Sequence, residues 1–367
     1  MPDQTIYTAD RIFTGEEWLT GHAIITRQNE ILDLVPLSTV ENDSGITRFR
    51  EAVIAPAFID LQIYGAYGEL LAVHPTAEAL RKLVEYGRQG GAAFCQPALA
   101  TNTKEVFFKG IDAVRDYRQA GGTGIIGLHL EGPWINPLRR GAHVEELIHP
   151  PALTEVKELM EYGKGVVTMV TLAPECCTEE VIRLVRSYDV VVSAGHSNAN
   201  YAEAKAGFAA GITAVTHLYN AMSPLRHRAP GLVGAAMDDC QVMASIIPDG
   251  HHADYAAVRI AKQVMKDRLF AITDAVTTTT EGYYKHQPAG DKYEAAGILS
   301  GSALTMNRAL QNLVQHAGIA ADEALRMCSL YPARVMKLDK ELGRIGKGYK
   351  ASMVALDKDL QVIQLLN

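Results

Sequence analysis

The chain has 367 residues, longer than an ordinary domain but within reach of one α/β barrel of about 250 residues plus a small accessory unit. Hydrophobic residues make up 48% and charged residues 21%, values that support a large core and exclude a disordered chain. A formal net charge of −7 argues against general affinity for nucleic acid or acidic membranes, so any bound anion must meet a local cluster of positive groups.

No apolar run approaches the ~20 residues needed to span a bilayer. Met1-Pro2-Asp3-Gln4 lacks a basic segment followed by an apolar one, which predicts a cytoplasmic protein. Cys95, Cys176, Cys177, Cys240 and Cys328 are odd in number and contain no Cys-x-x-Cys pair, so they read as reduced packing residues.

Residues 1 to 52 alternate short apolar runs such as Ile6-Tyr7-Thr8, His22-Ala23-Ile24-Ile25 and Glu30-Ile31-Leu32 with Gly, Asn and Asp turn signals, and no helix of ordinary length fits there. From Val53 the texture changes to β-rich runs alternating with amphipathic stretches, the pattern of a parallel sheet with crossover helices. Eight strands are predicted, over 53–63, 92–99, 124–130, 166–172, 190–194, 214–218, 243–247 and 269–273, and eight closes a (β/α)8 TIM barrel. Helices are expected at 77–89, with Thr76 as N-cap and Leu80, Leu83, Val84 and Gly87 on one face, and at 179–187. A doubly wound open sheet fits less well, because Ile63-Tyr64-Gly65-Ala66-Tyr67-Gly68 is a poor phosphate fingerprint.

After the eighth strand come a Thr-rich loop at 277–280, a polar insert at 281–294 and two helices near 302–317 and 322–336. Residues 351–356 and 361–365 return to short strands. Residues 1–52 and 337–367 are therefore expected to form one small accessory β-sandwich domain beside a barrel spanning 53–336.

Active sites of such barrels lie at the C-terminal ends of the strands. Here those ends carry Glu131, Gly195-His196-Ser197, His217, Asp249-Gly250-His251-His252 and Thr273-Asp274-Ala275. Glu131, His196 and His217 make a His2Glu set suited to a divalent ion, zinc first and iron as the alternative, with a further position open to water. Asp274 is the candidate general base for hydrolysis.

His129-Leu130-Glu131-Gly132-Pro133, Gly195-His196-Ser197, Thr216-His217-Leu218-Tyr219-Asn220-Ala221-Met222, Asp249-Gly250-His251-His252, Thr273-Asp274-Ala275 and Leu299-Ser300-Gly301-Ser302 together resemble the N-acetylglucosamine-6-phosphate deacetylases of the amidohydrolase superfamily, in order and over nearly the whole chain. The resemblance implies a metal-dependent barrel hydrolase that removes acetate from the 2-acetamido group of an amino-sugar phosphate. It assigns Glu131, His196 and His217 to the metal, Asp274 to acid/base catalysis and His143 to a contact near the acetyl carbonyl. It further assigns Asn220 and Ala221 to the sugar, and Arg228 and His252 to the phosphate, with Arg228 contributed across a homodimer interface. Gln62-Ile63-Tyr64 stands where most amidohydrolases carry the His-x-His of a second metal site, so one ion per chain is expected.

His129 reads as a residue that fixes its strand by a hydrogen bond, His251 competes with His252 for the phosphate role, and Glu175 reads as a helix-start residue. Arg139, Arg140, Arg226 and His227 read as solvated loop residues that could add positive charge near a phosphate. The alternatives are a deacetylase of the galactosamine epimer, an amidohydrolase of cyclic amides, dipeptides or nucleobases, and a non-catalytic scaffold that has kept the fold. A scaffold has no physical need for Glu131, His196, His217 and Asp274 together.

Overall fold

The computed structural model describes residues 4–40 and 45–366; Met1, Pro2 and Asp3 lie outside the described residues. Eight strands pair in parallel in chain order: Phe58–Ile63, Ala92–Ala100, Leu128–Glu131, Val167–Leu172, Val191–Ala194, Ala214–Val215, Met243–Ile246 and Leu269–Ala271. The last returns to the first through a parallel bridge between Ile63 and Ala275, with Asp274 N–H donating to the Gln62 carbonyl (3.0 Å) and Tyr64 N–H to that of Ala275 (2.9 Å). The architecture is the expected (β/α)8 barrel.

Helices cover it as the spacing requires. Ala77–Gln89 is capped by the Thr76 hydroxyl and buries Ala79, Leu80, Leu83, Val84 and Gly87. A Cβ on Gly87 would lie 2.4 Å from Cys95 Sγ, so only glycine lets this helix approach the second strand. Glu179–Arg186 is capped by Thr178 and buries Val181, Ile182 and Val185, while Leu184 is half-buried. Each such fully buried aliphatic side chain contributes about 1.5–3 kcal/mol.

Both ends of the chain share a seven-stranded sheet. Its central strand, Ile46–Pro56, pairs in parallel with Gln4–Phe13 and antiparallel with Met353–Asp357. Val362–Leu366 forms one edge, and His22–Arg27 and Glu30–Pro36 continue the other side. Ile12, Ile24, Ile31, Ile54, Met353 and Leu366 form a small core of its own.

Three expected boundaries move. The first barrel strand starts at Phe58 rather than residue 53, because residues 53–56 pair with Met353–Asp357 and Pro56, without an N–H, ends that ladder. The helix expected at 322–336 divides into Ala321–Cys328 and Leu330–Val335, since Pro332 cannot donate to the Cys328 carbonyl. The polar insert holds a three-stranded antiparallel sheet, Gln287–Ala289, Lys292–Ala295 and Ile298–Ser302, docked on the closing seam through a bridge between Ala275 and Ser302. Among the described residues no helix is long and apolar enough to cross a membrane, and all five cysteines are unpaired.

Candidate metal and hydrolytic site

Several strand-end residues leave extended geometry where chemistry is needed. His196, His217 and Asp274 have φ of 47°, 36° and 55°, left-handed values that end each strand and turn its side chain over the barrel mouth. Such backbone costs about 1–3 kcal/mol per residue and persists only where surrounding structure holds it. The loop carrying His196 is gripped from behind by Glu175, which accepts hydrogen bonds from Ser197 Oγ (2.6 Å), Asn198 N–H (2.5 Å) and Asn136 Nδ2 (3.0 Å). Glu175 is thus an anchor of this rim and more than a helix-start residue.

Glu131 ends the third strand, fully buried, and its two oxygens have different neighbours. Oε1 lies 3.2 Å from His196 Nε2 and 2.9 Å from His217 Nε2, and these two nitrogens are 3.1 Å apart. Oε2 accepts from Tyr64 Oη and lies 3.2 Å from His143 Nε2. Burial alone would raise the Glu131 pKa, but the nearby His196 and hydrogen bonds from His143, His196 and His217 hold it well below the usual range.

Hydrogen bonding assigns the imidazole tautomers. His196 Nδ1 lies 2.9 Å from the Arg139 carbonyl, which can only accept, so Nδ1 carries the proton and Nε2 presents a lone pair toward Glu131 and His217. Burial depresses the His196 pKa to about 4, which keeps the ring neutral. His143 is the reverse: its Nδ1 accepts from Thr101 N–H (3.3 Å), so Nε2 holds the proton and donates to Glu131 Oε2. Glu131, His143 and His196 also lie within 4.8 Å of one another and could be read as a ligand set. A protonated Nε2 is no metal donor, so the donor chemistry favours Glu131 Oε1, His196 Nε2 and His217 Nε2. The edges of 2.9–3.2 Å are a few tenths of an ångström shorter than the ~3.3–3.6 Å edges of a tetrahedron with bonds of ~2.0–2.2 Å, so a bound ion would spread the three donors slightly. Converging lone pairs of this kind call for a cation, and the residues present fit one.

Asp274 faces this set from the eighth strand. Burial raises its carboxyl above the usual range; His217 and His252 oppose that rise and Glu131 adds to it. Gln62 Nε2 donates to Asp274 Oδ1 (2.8 Å) and to Tyr64 Oη (2.7 Å), and lies 3.2 Å from Glu131 Oε1. Beneath it, Asp60 accepts from Thr273 N–H and Oγ, and burial lifts its pKa to about 7 against these bonds.

A pocket of about 210 Å³ opens over this centre and is lined by Glu131, His143, His196, His217, Asn220, Ala221, His252 and Asp274. Eight of the nine residues singled out in the sequence therefore meet in one cavity. The ninth, Arg228, sits in the exposed 224–229 loop and does not line the pocket of its own chain. His252 is fixed by Asp249 through Nδ1 (2.6 Å), whereas His251 turns to Asp291 (2.6 Å) on the insert sheet. His129 donates or accepts at Thr171 Oγ (2.7 Å), outside the ligand set. Arg139 and Arg140 are spent on the loop itself, contacting Asn198 and the carbonyls of Gly141 and His143.

Sequence reasoning gave no site role to one wall of the pocket, formed by Tyr284, His286, Leu299, Ser300 and Gly301, although Leu299-Ser300-Gly301 is among the motifs that carry the family resemblance. Tyr284 Oη donates to the Thr101 carbonyl (2.5 Å) and His286 Nδ1 pairs with Ser300 Oγ (2.9 Å). A Cβ on Gly301, at φ 141°, would meet Val276 at 2.5 Å, so the close approach of this wall to the eighth strand depends on glycine. The adjacent Tyr-x-His in a polar insert was the available signal.

Comparison with known proteins agrees with this geometry. Residues 53–366 match the amidohydrolase family. The N-acetylgalactosamine-6-phosphate deacetylase of Escherichia coli O157:H7 is 31% identical over 98% of this chain and 97% of its own. The N-acetylglucosamine-6-phosphate deacetylase of Haemophilus influenzae is 31% identical over 96% and 95%. The crystal structure of N-acetylglucosamine-6-phosphate deacetylase from Pasteurella multocida superposes with a TM-score of 0.93 at 30% identity, covering 99% of this chain and 97% of that one. With its fold, its strand-end histidines and carboxylates, and this full-length likeness, the chain belongs to the amidohydrolase family.

Proposed function

We propose that this chain hydrolyses the acetamido group of N-acetylglucosamine 6-phosphate to glucosamine 6-phosphate and acetate, using one divalent ion per chain, zinc in the first instance. The observation that carries this reading is the meeting of a three-donor metal set, a base and the sugar-contact residues in one pocket, in a chain about 31% identical to deacetylases of both hexosamine epimers.

When bound, the ion supplies Lewis acidity toward the amide carbonyl and toward water. Glu131 Oε1, His196 Nε2 and His217 Nε2 hold it. Asp274, its carboxyl raised by burial and so a stronger base than an exposed one, accepts a proton from the attacking water. The water oxygen bonds to the acyl carbon, the C–N bond breaks, and Asp274 returns the proton to the departing amine. His143 contacts the substrate near the acetyl carbonyl, and Asn220 and the Ala221 backbone position the sugar.

His252 and Arg228 read the phosphate. Arg228 stands clear of its own pocket, which accords with a homodimer in which it serves the neighbouring site. The unpaired cysteines accord with a cytoplasmic setting.

A galactosamine epimer is the second reading, favoured by the Escherichia coli relative. Acetate release on both epimers, phosphorylated and not, with metal analysis of the purified protein, tests the assignment. Activity that ignores the phosphate would overturn it.

A further inference from the structure

Glu131 has two oxygens, and the surrounding donors treat them differently. Gln62 Nε2 is a donor only, since an amide oxygen at that place would face the carboxylates of Asp274 and Glu131. Tyr64 Oη therefore accepts from Gln62 (2.7 Å) and has its single hydrogen left for Glu131 Oε2. His143 Nε2–H holds the same oxygen from another side. Oε1 alone faces Nε2 of both His196 and His217, with Gln62 Nε2 at 3.2 Å.

We propose that Tyr64 is a positioning residue that holds Glu131 to one-oxygen coordination: its hydroxyl occupies Oε2 and leaves Oε1 as the only oxygen offered to the ion. The inference rests on the metal-dependent reading above. A carboxylate whose second oxygen is tied cannot swing to chelate, so the coordination number stays low and a position stays open for substrate and water. Gln62 completes the device. It orients the phenol while holding Asp274 through Oδ1, so the metal-side carboxylate and the base are set against each other by one chain of donors.

The test uses the whole chain loaded with Co(II), whose d–d absorption is intense in four-coordinate sites and weak in higher ones. Tyr64→Phe keeps the ring and removes the donor. The variant is expected to take up one ion but to lose d–d intensity as Oε2 joins the coordination. Gln62→Met, which leaves the phenol in place but removes the donor that orients it, is expected to lose less intensity than Tyr64→Phe. An unchanged spectrum in Tyr64→Phe overturns the inference, as does an equal loss in both variants, which would point to general loosening of the rim. Should Tyr64→Phe not fold, the infrared difference between zinc-loaded and metal-free wild type decides. A wide separation of the carboxylate stretches supports one-oxygen binding, and a narrow one refutes it. Wild type that takes up no ion would overturn the metal reading itself and this inference with it.

Discussion

Asp60 on the first barrel strand accepts two hydrogen bonds from Thr273, just beyond the end of the eighth, from the backbone N–H at 3.1 Å and the hydroxyl at 2.5 Å. The bonds sew the barrel shut one residue before Asp274. Burial lifts the Asp60 pKa to about 7, against about 3.9 for an unfolded aspartate. A carboxyl whose folded pKa is raised favours folding most when protonated. Its contribution is full below pH ~4, declines as pH rises through 7, and is then constant. Denaturant midpoints of wild type and Asp60→Asn should therefore converge or cross between pH 4 and pH 8, with a difference slope of at most roughly 1.4 kcal/mol per pH unit. Parallel curves across that range would show that Asp60 does not titrate in the fold.

Asp274→Asn should fold and retain its metal, since the shape is kept and Gln62 can still bond to the amide oxygen. An amide cannot take the water's proton, so kcat should fall by about 10²–10⁴. Near-normal turnover with full metal content would remove Asp274 from the proton-transfer role.

The tautomer argument separates His143 from His196, whose Nε2 lies with that of His217 beside Glu131 Oε1. Replacing Glu131, His196 or His217 by Ala should strip the ion or leave it loosely held, because an incomplete donor set competes poorly with water. His143→Ala should keep one ion per chain while kcat falls. Metal content after dialysis decides it, and loss of the ion from His143→Ala would place that imidazole among the ligands.

Arg228→Ala should lower kcat/KM toward the phosphorylated sugar roughly 10- to 100-fold, as expected for a charge-assisted bond of about 1.5–3 kcal/mol. Toward the unphosphorylated sugar the change should be small, since the missing guanidinium had nothing to hold. Mixing this variant with an Asp274→Asn chain adds a check for the dimer. If Arg228 serves the partner's site, each mixed dimer contains one pocket in which an intact Asp274 is faced by an intact Arg228, so mixing should restore activity toward the phosphorylated sugar. Equal losses on both substrates would reassign Arg228 to the fold.

The barrel was legible because its strands are continuous apolar runs ending in single polar residues. Burying Glu131 or Asp274 at such an end makes sense only if something meets it there, and the sequence carried both halves of that relation. The pocket wall of Tyr284, His286 and Ser300 was not legible, because its strands are only three to five residues long and mostly exposed or half-buried. Neither periodicity nor burial marks such a ribbon until it docks on the Ala275 seam. Glu175 escaped for a related reason: its three partners are scattered over 136–198 and converge only when the fourth and fifth strands lie side by side. The hydroxyl of Tyr64 matters through a contact with Glu131, a residue on another strand, and no local pattern encodes that.

The sheet shared by the two ends imposes an order on synthesis. Ile46–Pro56 leaves the ribosome with Gln4–Phe13 available beside it, but its other edge is completed only by Met353–Asp357, after the entire barrel has been made. Throughout translation of the barrel that edge is a row of unpaired donors and acceptors on a nascent chain, open to pairing with a neighbouring polypeptide. A chain stopped short of residue 353 would keep every residue of the pocket and still carry this open edge. Its failure would appear as aggregation during expression, with the chemistry of the active site left intact in whatever fraction folded.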